Sequence, residues 1–167
     1  MLSYILAAIV AVGMFAADRI TKLCIVNNMA LGESAELLPG LFNIYYVHNS
    51  GGAWGILAGY TWVLLTLTAV IMIIGITVLI CKGLKNPWLF WSISLILSGG
   101  LGNMYDRIFN SGRVVDFIQF DFWQTFPIFN VADCAIVVGC GVLILYFVLD
   151  AFKTTSEKEE EPTDDNK

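Results

Sequence analysis

The chain has 167 residues, of which 57% are hydrophobic and only 14% charged, whereas soluble domains run near ~45–50% apolar and ~25% charged; the composition is that of a membrane protein. Its formal charge of −5 gathers at the C-terminus, where the last fifteen residues hold six of the fourteen acids, so no basic surface for nucleic acid is present. The four cysteines have no C-x-x-C spacing and read as small buried hydrophobes, and a lone histidine (His48) without an H-E-x-x-H motif builds no zinc site.

The first apolar segment, from about Leu2 to Val26, is interrupted by Asp18, Arg19 and Lys22. It lacks a basic leading region and is longer than the apolar core of a signal peptide, so it reads as a retained span. Residues 27–59 include "LLPGLFNIYYVHNSGGAWG", a mixture of β-branched, aromatic, Gly and Pro residues that points to strands and turns. The second apolar segment, Tyr60 to Cys81, is uncharged and leads through the tight turn "CKGLKNP" into the third, which is uncharged until Asp106. Residues 109–128 again read as strand and turn, and alternation in "VVDFIQF" sets Val114, Asp116, Ile118 and Phe120 on one face. The fourth segment, Val131 to Leu149, carries no charge except Asp133.

Apolar runs of about 20 residues match the thickness of a bilayer, and in lipid such runs must be helical to satisfy their backbone groups. The expected fold is a membrane α-helical protein with four transmembrane helices and a small extracytoplasmic β-structured cradle. Residues 1–152 form one domain on this reading, and residues 153–167 an acidic cytoplasmic tail, expected to be disordered because it has no apolar residue to bury. Lys82 and Lys85 in a short turn, with Lys153 and Lys158 after the fourth span, put that face inside the cell, along with both termini. Arg19, Lys22, Arg107 and Arg113 on the opposite face nearly balance them, but they lie beside acids.

An up-and-down path through four spans brings the polar groups to one surface. Asp18 closes the first span; Asn103, Asp106 and Arg107 close the third; Asn130 and Asp133 open the fourth; Asn49 and Asp116 lie on the connections joining there. Ionisable groups in a membrane are costly, by ~2.5–3.5 kcal/mol each at a helix centre, and usually face a cavity or a partner. Two readings are open at Asp133: a helix cap, paired with Asn130 three residues earlier, or a working group. Asp116 is either an ion-pair partner of Arg113 or Arg107, or a carboxylate whose proton affinity is raised by apolar neighbours. The twice-used "DRI" (Asp18 and Asp106) either neutralises charge at the interface or braces a site, and Asn49 in "NSGGAWG" is a turn residue or a substrate ligand. Two acids in one partly dry site supply an acid and a base together, which suffices for peptide hydrolysis without a metal or a covalent intermediate. A proton relay would need polar groups through the depth of the bilayer, and the second and fourth segments have none at mid-depth.

The motifs "GLGNMYDRI", "VVDFI" and "FNVADCAI", in that order, resemble the signature of the lipoprotein signal peptidases (signal peptidase II), and "DRITK" and "HNSGGAWG" resemble that family's earlier motifs. The likeness covers residues 4–150. It implies a bacterial plasma-membrane aspartyl endopeptidase that removes the signal peptide from diacylglyceryl-modified prolipoproteins, cutting before the lipid-modified cysteine near the outer membrane surface. It needs no cofactor, no metal and no obligate protein partner, only lipid and substrate. The family's catalytic pair falls on Asp116 and Asp133, and its supporting residues on Asp18, Lys22, Asn49, Gly102, Asn103, Asp106, Arg107 and Asn130. Two departures stand out: Gly52 where many relatives carry Ala, and Cys134 where Ser or another small residue is common.

Overall fold

A computed structural model describes the chain through residue 160 and its side chains through residue 153. Four helices and three strands follow one another in the order α1 (Leu2–Asn28), β1 (Ser34–Leu38), β2 (Phe42–Asn49), α2 (Thr61–Cys81), α3 (Pro87–Phe109), β3 (Val114–Phe120) and α4 (Val131–Glu160). Each expected apolar segment is a helix, and both longer connections contain the expected strands. Single 3-10 turns at Ala53–Gly55 and Gly83–Lys85 precede and follow α2. Helix α4 continues to Glu160, into the segment expected to be a disordered tail; residues 161–167 of that segment lie outside the described residues.

Among the described residues, two helical stretches, Thr61–Lys85 and Val131–Lys153, are long and apolar enough to cross a membrane by length and composition. Helices α1 and α3, of 27 and 23 residues, are ~40 and ~35 Å long at ~1.5 Å per residue. Helix α3 is the centre of the bundle, packing against α4, α1 and α2. Its buried side carries small residues, Ser92, Ser98, Gly99 and Gly102, which let neighbouring backbones approach closely. The outward faces are apolar, as Ile5, Ile9, Ile73, Ile76, Val137 and Phe147 are all exposed. All four cysteines are free, but they are not the buried residues expected: Cys24 and Cys81 are exposed, and Cys134 and Cys140 are half-buried.

The three strands form one antiparallel sheet in the order β1–β2–β3. Pro39-Gly40 turns the first hairpin, with Gly40 at φ 75°, a backbone that favours glycine. The sheet is seated on the helix ends by a core of Ile25, Tyr46, Val115 and Phe117, with Met29, Ile44, Ile118 and Val131 against it. Phe129, just before α4, exchanges backbone hydrogen bonds with Ile118. The start of α2 is tied to the same level, because Thr61 Oγ1 lies 3.4 Å from the carbonyl of Gly112, one turn before β3. Sheet, α1 C-terminus, α3 C-terminus and α4 N-terminus therefore meet at one end of the bundle.

Candidate active site

Helix α4 opens with a reciprocal cap. Asn130 Oδ1 accepts the Asp133 N–H at 3.0 Å, and Asp133 Oδ2 accepts the Asn130 N–H at 3.0 Å, the capping-box arrangement foreseen from their spacing. A second carboxylate serves the same helix end from outside: Asp18 on α1 accepts the Ala132 N–H at 3.0 Å, one of the N–H groups a helix leaves unpaired. Asp133 also receives Asn103 Nδ2 at 2.7 Å. Its carboxylate is thus held by α3 and by the start of its own helix.

Asp116 reaches the same place from β3. It is 3% exposed, and its oxygens accept Asn130 Nδ2 at 2.6 Å and Asn49 Nδ2 at 2.9 Å. No ion pair with Arg113 or Arg107 forms; both oxygens are served by neutral amides. Burial, reinforced by the negative charge of Asp133, pushes its pKa from 3.8 up to about 7, although the two amides and Lys22 oppose the rise. Val114 and Phe120, on the same strand face, line a cavity of about 590 Å³ together with Asp116 and Asp133. Further walls come from Phe126, Ile128, Phe129 and, on α4, Cys134, Val137 and Val138. The cavity runs out along α4, where Val137 and Val138 are 70% and 54% exposed.

The "NSGGAWG" segment closes one side of this cavity. Asn49 Oδ1 accepts the Gly51 N–H at 2.9 Å, which turns its Nδ2 toward Asp116. A side chain on Gly51 would stand 2.9 Å from the backbone of Gly55 and Ile56, so glycine is required there for close approach. Gly52 has room for a methyl group, with only the Ile56 carbonyl at 3.6 Å, so an alanine fits the same turn. The left-handed backbone falls partly on residues the sequence does not mark for it, Trp54 at φ 53° and Leu57 at φ 60°.

The two "DRI" copies are used differently. Asp18, Arg19, Lys22 and Asp106 form one buried ionic cluster: Arg19 contacts Asp18 at 3.0 Å and Asp106 at 2.7 Å, and Lys22 contacts the same two acids at 3.1 and 2.8 Å. Asp106 additionally accepts the Val115 N–H at 3.1 Å, fixing β3 to α3. Arg107 joins neither acid. It lines the cavity, donates to the Gly51 carbonyl at 3.0 Å, and keeps a buried Nε–H without a partner. Arg19 was not singled out from the sequence, since nothing local separates it from Arg107; its stacking over Tyr105 at 4.7 Å depends on how α1 meets α3.

Of the residues expected at the site, Asn49, Asn103, Arg107, Asp116 and Asp133 line the cavity, Asn130, Lys22, Asp18 and Asp106 stand behind them in one bonded network, and Gly102 makes no such contact. It lies between α1 and α4, where a Cβ would stand 2.8 Å from Asp18 Oδ2 and 3.1 Å from the Ala132 Cβ. Among the described residues, no group of three or more His, Cys, Asp or Glu side chains is arranged to hold a metal ion. The arrangement places two carboxylates, amide donors and one underused guanidinium on a mostly apolar cavity.

Known proteins share this frame. The profile of the family described as "Signal peptidase (SPase) II" matches residues 10–149. A lipoprotein signal peptidase of Brevibacillus brevis is 42% identical over 150 residues, covering 90% of this chain and 97% of the relative. One from Symbiobacterium thermophilum is 39% identical over 158 residues, covering 93% of this chain and all of the relative. A bacterial membrane enzyme solved by the in meso method at 2.3 Å superposes with a TM-score of 0.83 at 35% identity, covering 94% of this chain and 93% of the other. A second, solved at 1.9 Å, gives a TM-score of 0.77, also at 35% identity, covering 84% and 91%. With a profile matching most of its length and relatives near 40% identity over nearly all of it, the chain belongs to the signal peptidase II family, the lipoprotein signal peptidases.

Proposed function

We propose that Asp116 and Asp133 are the catalytic pair of a membrane aspartyl endopeptidase that removes the signal peptide from diacylglyceryl-modified prolipoproteins, cutting before the modified cysteine. The observation that carries this is that both carboxylates open onto one cavity and are bridged by Asn130, which donates through Nδ2 to Asp116 and through its backbone N–H to Asp133. Two close carboxylates share a proton rather than both ionising, and the proton belongs to the pair. One carboxylate takes a proton from water as its oxygen attacks the scissile carbonyl carbon, and the other gives its proton to the carbonyl oxygen. When the tetrahedral intermediate collapses, the C–N bond breaks and the proton held by the base goes to the departing amine. Asn49, Asn103 and Asn130 orient the pair, Asp18, Lys22 and Asp106 brace it from α1 and α3, and the guanidinium of Arg107, on the cavity wall, binds a carbonyl of the peptide.

All four helices span the membrane on this reading, as one domain over residues 1–152. Helices α1 and α3 have the length to do so, and their charged side chains turn inward to the cluster while apolar side chains face out. The termini lie in the cytoplasm and the sheet lies at the outer surface of the bacterial plasma membrane. The cavity's flank along α4 is apolar, so a substrate helix and its acyl chains can stay in lipid while the scissile bond meets the carboxylates. The reaction needs lipid and substrate, with no cofactor and no second protein.

The deciding assay follows cleavage of a diacylglyceryl-modified prolipoprotein by wild type, Asp116→Asn and Asp133→Asn in detergent with EDTA. Wild type should cut before the modified cysteine, and both variants, folded by circular dichroism, should lose at least ~10³-fold in kcat. If folded Asp133→Asn stays active, Asp133 is a helix cap only.

A further inference from the structure

Each asparagine beside the aspartates has its amide held in one sense by a group that can only donate. For Asn49 this is the Gly51 N–H at 2.9 Å, and for Asn130 the Asp133 N–H at 3.0 Å. Both are backbone groups and belong to their own turns. For Asn103 it is the Lys22 ammonium, 3.1 Å from Oδ1. An ammonium accepts nothing, so the oxygen of Asn103 must face it and the N–H₂ must face Asp133. The other donor to that oxygen, Asn130 Nδ2 at 3.0 Å, has two hydrogens for three acceptors, since it also lies 2.6 Å from Asp116 Oδ1 and 3.3 Å from the Val115 carbonyl. Lys22 is 2% exposed, and its three contacts, Asp18, Asp106 and Asn103, account for the three hydrogens of the ammonium.

We propose that Lys22 is a positioning residue of the reaction, acting through Asn103: it fixes the amide of Asn103 so that an N–H, never the oxygen, meets Asp133. This rests on the two-carboxylate reading above. Lys22 has a structural duty as well, but Arg19 contacts both Asp18 and Asp106, so neither acid is stranded when Lys22 is removed. The other charged or titratable groups around the pair are Asp18 and Arg19 from α1, Asp106 and Arg107 from α3, Cys134 from α4, and Tyr46 and His48 on β2, which bond each other at 2.8 Å.

The test is a double-mutant cycle on the full chain in detergent, with a diacylglyceryl-modified prolipoprotein, reading kcat and KM from about pH 5 to 9. Lys22→Met should lower kcat by ~10²-fold while KM moves less than about threefold, because only geometry at the reacting groups is lost. Removing the cation should also move the alkaline limb of the pH profile upward, since Lys22 favours the ionised form of Asp116. In an Asn103→Ala background, Lys22→Met should lower kcat by less than about threefold further, because the residue it acts through is gone. An undiminished loss in that background, or an unmoved alkaline limb, would overturn the proposal. Lys22→Arg keeps charge and N–H donors and covers the case in which Lys22→Met does not fold. It should keep kcat within about tenfold of wild type, and a folded Lys22→Arg as inactive as Asn103→Ala would overturn the proposal equally. The controls separate the two readings. An active Asp116→Asn or Asp133→Asn removes the carboxylate pair itself, whereas inactive controls with an additive Lys22 cycle remove only the role of Lys22.

Discussion

Asn130 joins everything that matters at the scale of single residues. Its oxygen caps α4, its amide serves Asp116 and Asn103, and its backbone N–H holds Asp133. The sense of these bonds makes Asn103→Asp a sharp substitution. It is nearly isosteric and adds a group that Lys22 welcomes, yet it turns a carboxyl oxygen instead of an N–H toward Asp133 Oδ1, now 2.7 Å away. We expect kcat to fall by ~10²–10³-fold with little loss of thermal stability, as befits a lost donor at a reacting group; steady-state kinetics beside a melting curve checks it. Asp116 gives the pH dependence. Its folded value of about 7 stands above the ordinary 3.8, so the fold binds a proton that the unfolded chain has released. That contribution to stability is complete below about pH 3.8 and is lost as pH rises through about 7, where the pair also loses its shared proton. Activity should therefore fall on the alkaline side of about 7, and Asp116→Asn should abolish the matching slope in stability; melts across that range test the second point independently of catalysis. The Asn130–Asp133 cap was legible from spacing alone. The role of Asn49 was not, because a turn residue and a ligand look alike until the Gly51 N–H fixes which way the amide points.

Between elements, α3 carries the tightest tolerances. A Cβ on Gly99 would collide with the Ala132 carbonyl and stand 2.8 Å from Ile136, and one on Gly139 would stand 2.8 Å from the Ser92 carbonyl. These glycines bring α3 and α4 together, and that approach is what carries Asn103 to Asp133. Gly99→Ala should therefore cost about 1–3 kcal/mol, the usual price of overpacking, and should lower kcat further because the helices part just below the dyad. A melt and a kinetic assay on the same preparation measure both, and wild-type behaviour in either would show that the crossing can relax. Gly102→Ala presses on Asp18 in the same way, with its Cβ 2.8 Å from Oδ2. The helices and strands were readable because apolar run length and alternation state them directly. Their contacts were not. The two "DRI" copies are identical in sequence, and only the packing of α1 on α3 sends Arg19 into the ionic cluster and Arg107 to the cavity. Strain at Trp54 and Leu57 was equally hidden, since a turn containing four glycines gives no reason to expect positive φ at its bulky residues.

For the molecule as a whole, the bundle is asymmetric from end to end. One end holds the sheet, the buried acids and the cavity; the other holds the turn with Lys82 and Lys85 and the C-terminal part of α4. In the orientation proposed above, this short charged turn stays in the cytoplasm and the cavity faces the outer side, where a lipid-modified precursor would arrive after export. Cysteine labelling can check this orientation in a chain whose four native cysteines are replaced by serine. Glu36 on the exposed β1 strand and Lys85 in the α2–α3 turn are both exposed, and both lie far along the chain from Asp116 and Asp133. In intact cells freed of any outer barrier, an impermeant maleimide should react with Glu36→Cys at once and with Lys85→Cys only after permeabilisation. The reverse pattern would put the sheet in the cytoplasm, and equal labelling of both without permeabilisation would mean that α2 and α3 do not cross the membrane. On the proposed function, only the first pattern puts Asp116 and Asp133 where a precursor helix, anchored by its acyl chains in the outer leaflet, would present the bond to be cut.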